Sequence, residues 1–279
     1  MTAALGREFV FSDDQFERLR TFVLSHTGIA LSEAKKDMVY GRLSKRIRKQ
    51  FEGSFEAFCA AIEQGDGDEQ EFLINAITTN LTAFFREQHH FDYLKQRLIP
   101  ELKLKNAGSR KIRIWSAGCS TGEEPYSIAI TLAEDQGLAD WDIKILATDL
   151  DANVLAHGET GIYNAERIGG LSESRRRRWF QRGRGDNAGL VRVKPDLRQM
   201  VTFKRLNLLH DWPMQQPFDL IFCRNVVIYF DKTTQASLFD RYARLLVDEG
   251  HLFIGHSESL YNVTTRFTSL GHTIYRRRS

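Results

Sequence analysis

Cysteine is scarce and unpaired in this chain: Cys59, Cys119 and Cys223 make an odd number at wide spacing. That excludes a disulfide framework and a cysteine-rich zinc site, and it suits a reducing cytoplasm. No run of roughly 18 uncharged apolar residues occurs, and the start MTAALGREFVFSDD lacks an apolar stretch behind a basic one, so neither a membrane span nor a secretion signal is expected. Internal repeats and low-complexity tracts are also missing. With 279 residues, 42% hydrophobic and 27% charged, the composition is that of a folded globular protein with room for two domains. The net charge of +3 is small, but basic residues cluster in KKDMVYGRLSKRIRK and at Arg175 to Arg178, and local clusters decide partners more than the total does.

No strand signal precedes residue 80. FSDDQF places Ser12 at an N-cap, Gln15 three residues later, and Phe11 and Phe16 at hydrophobic-staple spacing, with Gly28 as a stop. Further helical patterns cover 33–51, 54–64 and 68–78, with GDGD as a connector. From Lys111 the texture changes: KIRIWSAG, WDIKILATD, FDLIFC and GHLFIG alternate with helical SIAITLAEDQG and KTTQASLFDRYARLLVDEG. This alternation predicts a doubly wound α/β sheet with its ligand at the carboxyl ends of the strands. RGRGDNAGLVRV and MVTFKR interrupt it without a crossover helix, which suggests a small β insert at about 181–205, and FTSLGHTIYRRR closes the chain as a hairpin.

WSAGCSTGEEPYS follows an apolar run and opens a helix, so Gly118 and Gly122 sit where a ligand can approach the backbone. A P-loop requires Lys-Ser/Thr after its last glycine, but here Glu123 and Glu124 follow, and the glycine spacing is not that of a dinucleotide fingerprint. Phosphate is disfavoured by two carboxylates. S-adenosylmethionine has no phosphate and carries an ammonium and a sulfonium, so an acidic loop complements it. ATDLD ends the next strand, with Asp149 where such folds place a carboxylate on ribose hydroxyls.

Four longer strings complete the pattern: TTNLTAFFRE at Thr78 to Glu87, STGEEPYSIA at Ser120 to Ala129, FCRNVVIYFD at Phe222 to Asp231 and GHSES at Gly255 to Ser259. Together they resemble the CheR family of chemotaxis receptor methyltransferases, from about Phe9 to Tyr275. The resemblance implies a class I methyltransferase (Rossmann-like) domain at 87–279 with an inserted β-subdomain. An all-α receptor-docking domain at 1–78 precedes it, and 79–86 is an interdomain segment contributing to the cofactor site. It implies S-adenosylmethionine as cofactor, S-adenosylhomocysteine as product, and receptor glutamates as acceptors. Carried over by motif, Asn80, Thr82 and Arg86 line the cofactor pocket with Gly118. Glu124 meets the methionine end, Asp149 the ribose, and Asn207 and Leu208 the adenine. Arg224 and Asn225 complete the cofactor site, and Arg86 and Tyr229 are the catalytic residues.

A glutamate carboxylate has a pKa of about 4.3 and is already a nucleophile at neutral pH, so no general base is needed. The Asp/Asn-Pro-Pro-Tyr arrangement of many amino-group methyltransferases is indeed absent. No metal is expected, because His89, His90, His210 and His256 lack ligand spacing. On a helical wheel Lys35, Arg42, Lys45, Arg46 and Lys49 share one arc beside Val39, Leu43 and Ile47. In the CheR family this helix meets the acidic methylation helices of receptors. Gly183, Gly185 and Arg192 match the family's β-subdomain, which in some members binds a peptide tethered to the receptor tail. The rival readings are a nucleic-acid methyltransferase with Cys223 as nucleophile and Arg175 to Arg178 on phosphates, and a non-catalytic signalling module.

Overall fold

The computed structural model describes residues 7–278, which divide into two compact units: residues up to Thr79 with Tyr229–Asp231, and Asn80–Ile228 with the chain from Lys232 onward. The first unit carries four helices, α1 (Asp13–Thr27), α2 (Lys36–Gln50), α3 (Phe55–Glu63) and α4 (Gly67–Ile77). Ser12 Oγ accepts the Gln15 N–H at 3.1 Å while Gln15 Oε1 accepts the Ser12 N–H at 3.0 Å, closing the capping box. Phe11 and Phe16 are both buried, edge to face at 6.1 Å. Gly28 ends α1 in the left-handed region at φ 71°. The GDGD connector is shorter than expected, because Asp66 accepts the N–H groups of Asp68 and Glu69 and so caps α4 from within it. The core joins Leu19, Val39, Leu43, Ile47 and Phe58.

The basic arc of α2 is less uniform than its wheel suggests. Arg42 Nη1 donates to the carbonyls of Ala76, Ile77 and Thr78 at 2.9, 3.1 and 2.9 Å, capping the C-terminal end of α4 with a cation. Arg46 forks onto Glu69, a carboxylate whose side chain is only 6% exposed, with Nε at 3.0 Å. Both arginines therefore hold α2 to α4, Arg42 from an exposed position, and Lys35, Lys45 and Lys49 are the exposed lysines of the arc.

In the second unit α5 (Gln88–Tyr93) and α6 (Ile99–Lys105) lead to β1 (Lys111–Ala117), α7 (Glu123–Ala133), β2 (Asp142–Asp149) and α8 (Ala152–Thr160). There follow β3 (Ile162–Asn164), α9 (Glu173–Trp179), β4 (Phe180–Arg182), β5 (Leu190–Val193), α10 (Pro195–Arg198) and β6 (Val201–Arg205). The chain closes with β7 (Phe218–Cys223), α11 (Lys232–Leu245), β8 (Leu246–Ile254), β9 (Phe267–Gly271) and β10 (Ile274–Arg277). The main sheet has the order β6-β2-β1-β7-β8-β10-β9. Five strands are parallel and β10 runs antiparallel to both β8 and β9. All six residues of β7 are buried, as expected for a central strand covered on both faces. The order reverses between β1 and β7, which makes the carboxyl ends of these strands the topological switch point.

The insert lies earlier than the expected 181–205. The small antiparallel sheet is β3-β5-β4, beginning at Ile162, whereas Val201–Arg205 pairs parallel with β2 and is an edge strand of the main sheet. Strand alternation alone cannot say which sheet a strand joins. Gly183 is required by close approach, since a Cβ there would lie 2.0 Å from the Asn187 carbonyl. Gly185 has φ 57°, and Arg192, at the centre of the small sheet, donates to Thr160 O at 3.2 Å. The last helix also stops sooner than its sequence pattern, because LVDEG already belongs to β8.

Replacing Arg46 with Ala would strand the Glu69 carboxylate in a nearly buried position. The expected loss is about 1–3 kcal/mol in urea denaturation of the full chain, against less than about 0.5 kcal/mol for Lys45→Ala. Equal losses would contradict the distinction between packed and exposed cations.

Candidate functional site

At the switch point the loop after β1 folds back onto the end of β2. Thr148 O accepts the N–H groups of Gly118 and Cys119 at 2.7 and 2.9 Å, and Asp149 Oδ2 accepts the Ser120 N–H at 2.8 Å. Gly118 has φ 85°, and a Cβ there would meet Val226 Cγ2 at 2.3 Å, so the loops after β1 and β7 approach too closely for any side chain. Asp149 Oδ1 accepts the Asp151 N–H at 3.1 Å. Burial raises the Asp149 carboxyl above its ordinary range, against the pull of those backbone donors. Leu206 N–H bonds to Asp149 O at 3.0 Å, which sets Asn207 and the buried Leu208 next along the chain; Asn207 Oδ1 accepts the Leu209 N–H at 2.9 Å.

The segment 80–87 crosses these same loops. Asn80 Nδ2 donates to Asp151 Oδ2 at 2.8 Å, and Asn80 O accepts Ser120 Oγ at 3.0 Å. Thr82 O accepts Arg167 Nη2 at 2.9 Å, and Arg86 folds back to donate to Leu81 O at 2.8 Å. The Arg86 carbonyl in turn accepts a bond from Arg224 Nη2.

Arg224 is the centre of the arrangement. Its side chain is 2% exposed, with Nη1 3.1 Å from Glu124 Oε2 and Nη2 3.3 Å from Glu87 Oε2, while Nε has no hydrogen-bond partner. Glu124 also accepts Ser116 Oγ at 2.6 Å. Burial raises the Glu124 carboxyl, and Arg224 opposes the rise. Glu124 is thus engaged by protein groups and does not stand open toward a cationic ligand. Glu123, fully buried, is held by Arg167 and by Thr121 Oγ1 at 2.6 Å.

Glu87 and Glu258 have no sequence signal of their own beyond their place in TTNLTAFFRE and GHSES. Glu87 sits at φ 58°, and its Oε1 accepts the backbone N–H of His256 at 3.2 Å and meets His256 Nδ1 at 3.1 Å. Burial would raise its carboxyl, but Arg224 and His256 outweigh burial and hold it down to about 2. Glu258 accepts the N–H groups of Asn225 at 3.0 Å and Ile228 at 3.3 Å, as well as that of Gly255. It supports the left-handed turn at Asn225, φ 59°, whose side chain occupies the space a Cβ on Gly255 would need.

The structure therefore links Asn80, Arg86, Gly118, Glu124, Asp149, Asn207, Arg224 and Asn225 through neighbouring loops. Tyr229 groups with the first unit, where its carbonyl accepts the Ala30 N–H at 3.2 Å. Cys223 is fully buried and accepts the Tyr242 hydroxyl at 3.2 Å, and burial pushes its thiol well above the usual range. It cannot act as an exposed thiolate. Arg175 is paired with Glu134 at 2.7 Å and Arg177 with Glu173, so the RRRR run is not a row of free cations.

A sheet of this order, with a non-phosphate glycine loop after its first strand and an acid at the end of its second, defines a class I S-adenosylmethionine-dependent methyltransferase. The donor set fits that cofactor: Asp149 offers carboxylate acceptors suited to a diol, and the buried Arg224 Nε is a donor suited to a carboxylate. Two family profiles match, "CheR methyltransferase, all-alpha domain" over residues 14–78 and "CheR methyltransferase, SAM binding domain" over 80–276. Chemotaxis protein methyltransferase 2 of Pseudomonas aeruginosa is 45% identical, covering 97% of this chain and 95% of that protein. The chemotaxis protein methyltransferases of Escherichia coli and Salmonella typhimurium are 44% and 43% identical, each over 97% of this chain and 93% and 92% of theirs. The chain belongs to the CheR family of chemotaxis protein methyltransferases.

Glu258→Gln would turn an amide N–H toward backbone donors that need an acceptor. S-adenosylmethionine affinity is expected to fall about tenfold or more by calorimetry, at unchanged circular dichroism; unchanged affinity would contradict the role of Glu258 in shaping the Asn225 loop.

Proposed function

We propose that this chain esterifies glutamate side chains of methyl-accepting chemoreceptors, with S-adenosylmethionine as methyl donor and S-adenosylhomocysteine as product. The observation that carries this reading is Arg224, a nearly buried cation with an unfilled donor at the switch point. It suits the carboxylate at the methionine end of the cofactor, and a glutamate acceptor, already ionised, needs no general base at neutral pH. The cofactor supplies an electrophilic methyl group; the protein supplies alignment and partial desolvation.

Asp149 binds the ribose, Asn207 and Leu208 flank the adenine, and Asn80, Thr82, Gly118 and Asn225 shape the pocket around them. Arg224 faces the methionine end. Glu124 acts through Arg224, because its own carboxylate is already engaged. Arg86 orients the acceptor carboxylate, and Tyr229 keeps the catalytic place that the family resemblance gives it.

Lys35, just before α2, and Lys45 and Lys49 on it meet the acidic face of a receptor helix, while Arg42 and Arg46 keep the helix in place. Gly183 and Gly185, between β4 and β5, and Arg192 on β5 serve a receptor-tail peptide where the receptor carries one. The described helices include none long and apolar enough to cross a membrane.

Methyl-labelled cofactor and acidic chemoreceptor helices test the reading directly. Label transferred to the helices should leave as methanol in mild alkali, as a carboxyl ester does; alkali-stable label would refute it. Arg86→Ala should lower kcat/KM at least about tenfold, equivalent to about 1.4 kcal/mol of transition-state stabilisation, whereas Cys223→Ser should retain activity. Near-wild-type kinetics in the first variant would sink the role of Arg86, and inactivity in a folded Cys223→Ser protein would revive covalent catalysis.

A further inference from the structure

Glu87, His89 and His90 stand at the start of α5, and one ligand atom from each lies within 4.8 Å of the others. Adjacent histidines on a helix give no metal-binding signal by spacing alone, which is why the sequence argued against a metal. The backbone changes that: Glu87 lies in the left-handed region as the N-cap residue of α5, and its carboxylate comes 3.6 Å from His90 Nδ1.

The hydrogen bonds of His90 determine what faces Glu87. His90 Nε2 is 2.9 Å from the carbonyl oxygen of His272, which can only accept, so Nε2 carries the proton. In the neutral ring Nδ1 then presents a lone pair. His90 is fully buried and its Nδ1 has no hydrogen-bond partner, while Glu87 Oε2 beside it is met only by the Arg224 guanidinium at 3.3 Å. The His90 lone pair thus faces a carboxylate oxygen out of water, and a cation between them would supply the partner that Nδ1 lacks. A histidine that donates its outer N–H to a backbone carbonyl while turning the other nitrogen inward has the orientation of a metal ligand. His89, whose ring centroid is 4.2 Å from that of His90, supplies the third ligand.

We propose that Glu87, His89 and His90 bind a borderline divalent transition-metal ion of the zinc class. Two imidazoles and a carboxylate match the ligand preference of zinc, cobalt and nickel rather than of magnesium or calcium. A modest closing of the ligands onto the ion is required, and His89, which is not buried, has room to make it. Arg224 lies 3.3 Å from the same Glu87 oxygen and limits the affinity by charge repulsion, partly offset by Glu124 on its other side. The ion and Arg224 share Glu87, so the site adjoins the switch point.

The full chain, titrated with cobalt(II) without any methyl donor or acceptor, should bind one ion with the visible absorption of a low-coordinate site, displaceable by zinc(II). His89→Ala, and separately His89→Gln, should weaken binding at least about tenfold; His26→Ala, on α1, should leave it unchanged. Absence of saturable cobalt binding, or equal affinity in wild type and both His89 variants, would overturn the proposal. Because the readout is metal binding, its outcome is independent of the methyl acceptor.

Discussion

A charged guanidinium withdrawn from water must be paired, and Arg224 satisfies that requirement with two separate pieces of chain: Glu124 at the start of α7, and the Arg86 carbonyl with the neighbouring Glu87 carboxylate just before α5. No local propensity brings these pieces together. A single buried cation does so at the carboxyl end of β7, and the order of the loops around the switch point depends on it. Removing either carboxylate would leave a buried charge short of its partner, so the pairs act as a unit rather than as separable contacts.

Around that cation the remaining loops are held by carboxylates that accept backbone N–H groups. Asp149 ties the loop after β1 to the end of β2, and Glu258 shapes the turn after β7. Gly118 permits the two loops to touch. The acids of the glycine loop thus have a different physical role from the one their position suggests. Glu123 and Glu124 are engaged by protein arginines, Arg167 and Arg224.

Much of the fold was legible because it rests on periodicity and capping. The Ser12–Gln15 box, the unbroken apolar β7 and the switch from helical to alternating texture each have a local cause that a sequence displays. The insert boundary was not legible, since Val201–Arg205 has the same strand character whether it joins the small sheet or β2. The helical wheel showed the basic arc of α2 but could not show that Arg42 and Arg46 find partners on α4. At the site, motif resemblance pointed to Asp149, Arg224 and Asn225, whereas Glu87 and Glu258 emerge only when loops far apart in sequence are folded together.

The claim that one buried cation organises the site is tested most directly by a double-mutant cycle on cofactor binding. S-adenosylmethionine affinity would be measured by calorimetry for the parent, Arg224→Gln, Glu124→Gln and the double variant. A coupling energy of about 1.5 kcal/mol or more is predicted, because each partner is buried and depends on the other. Additive effects, with coupling below about 0.5 kcal/mol, would show that the two residues act independently and would contradict the account.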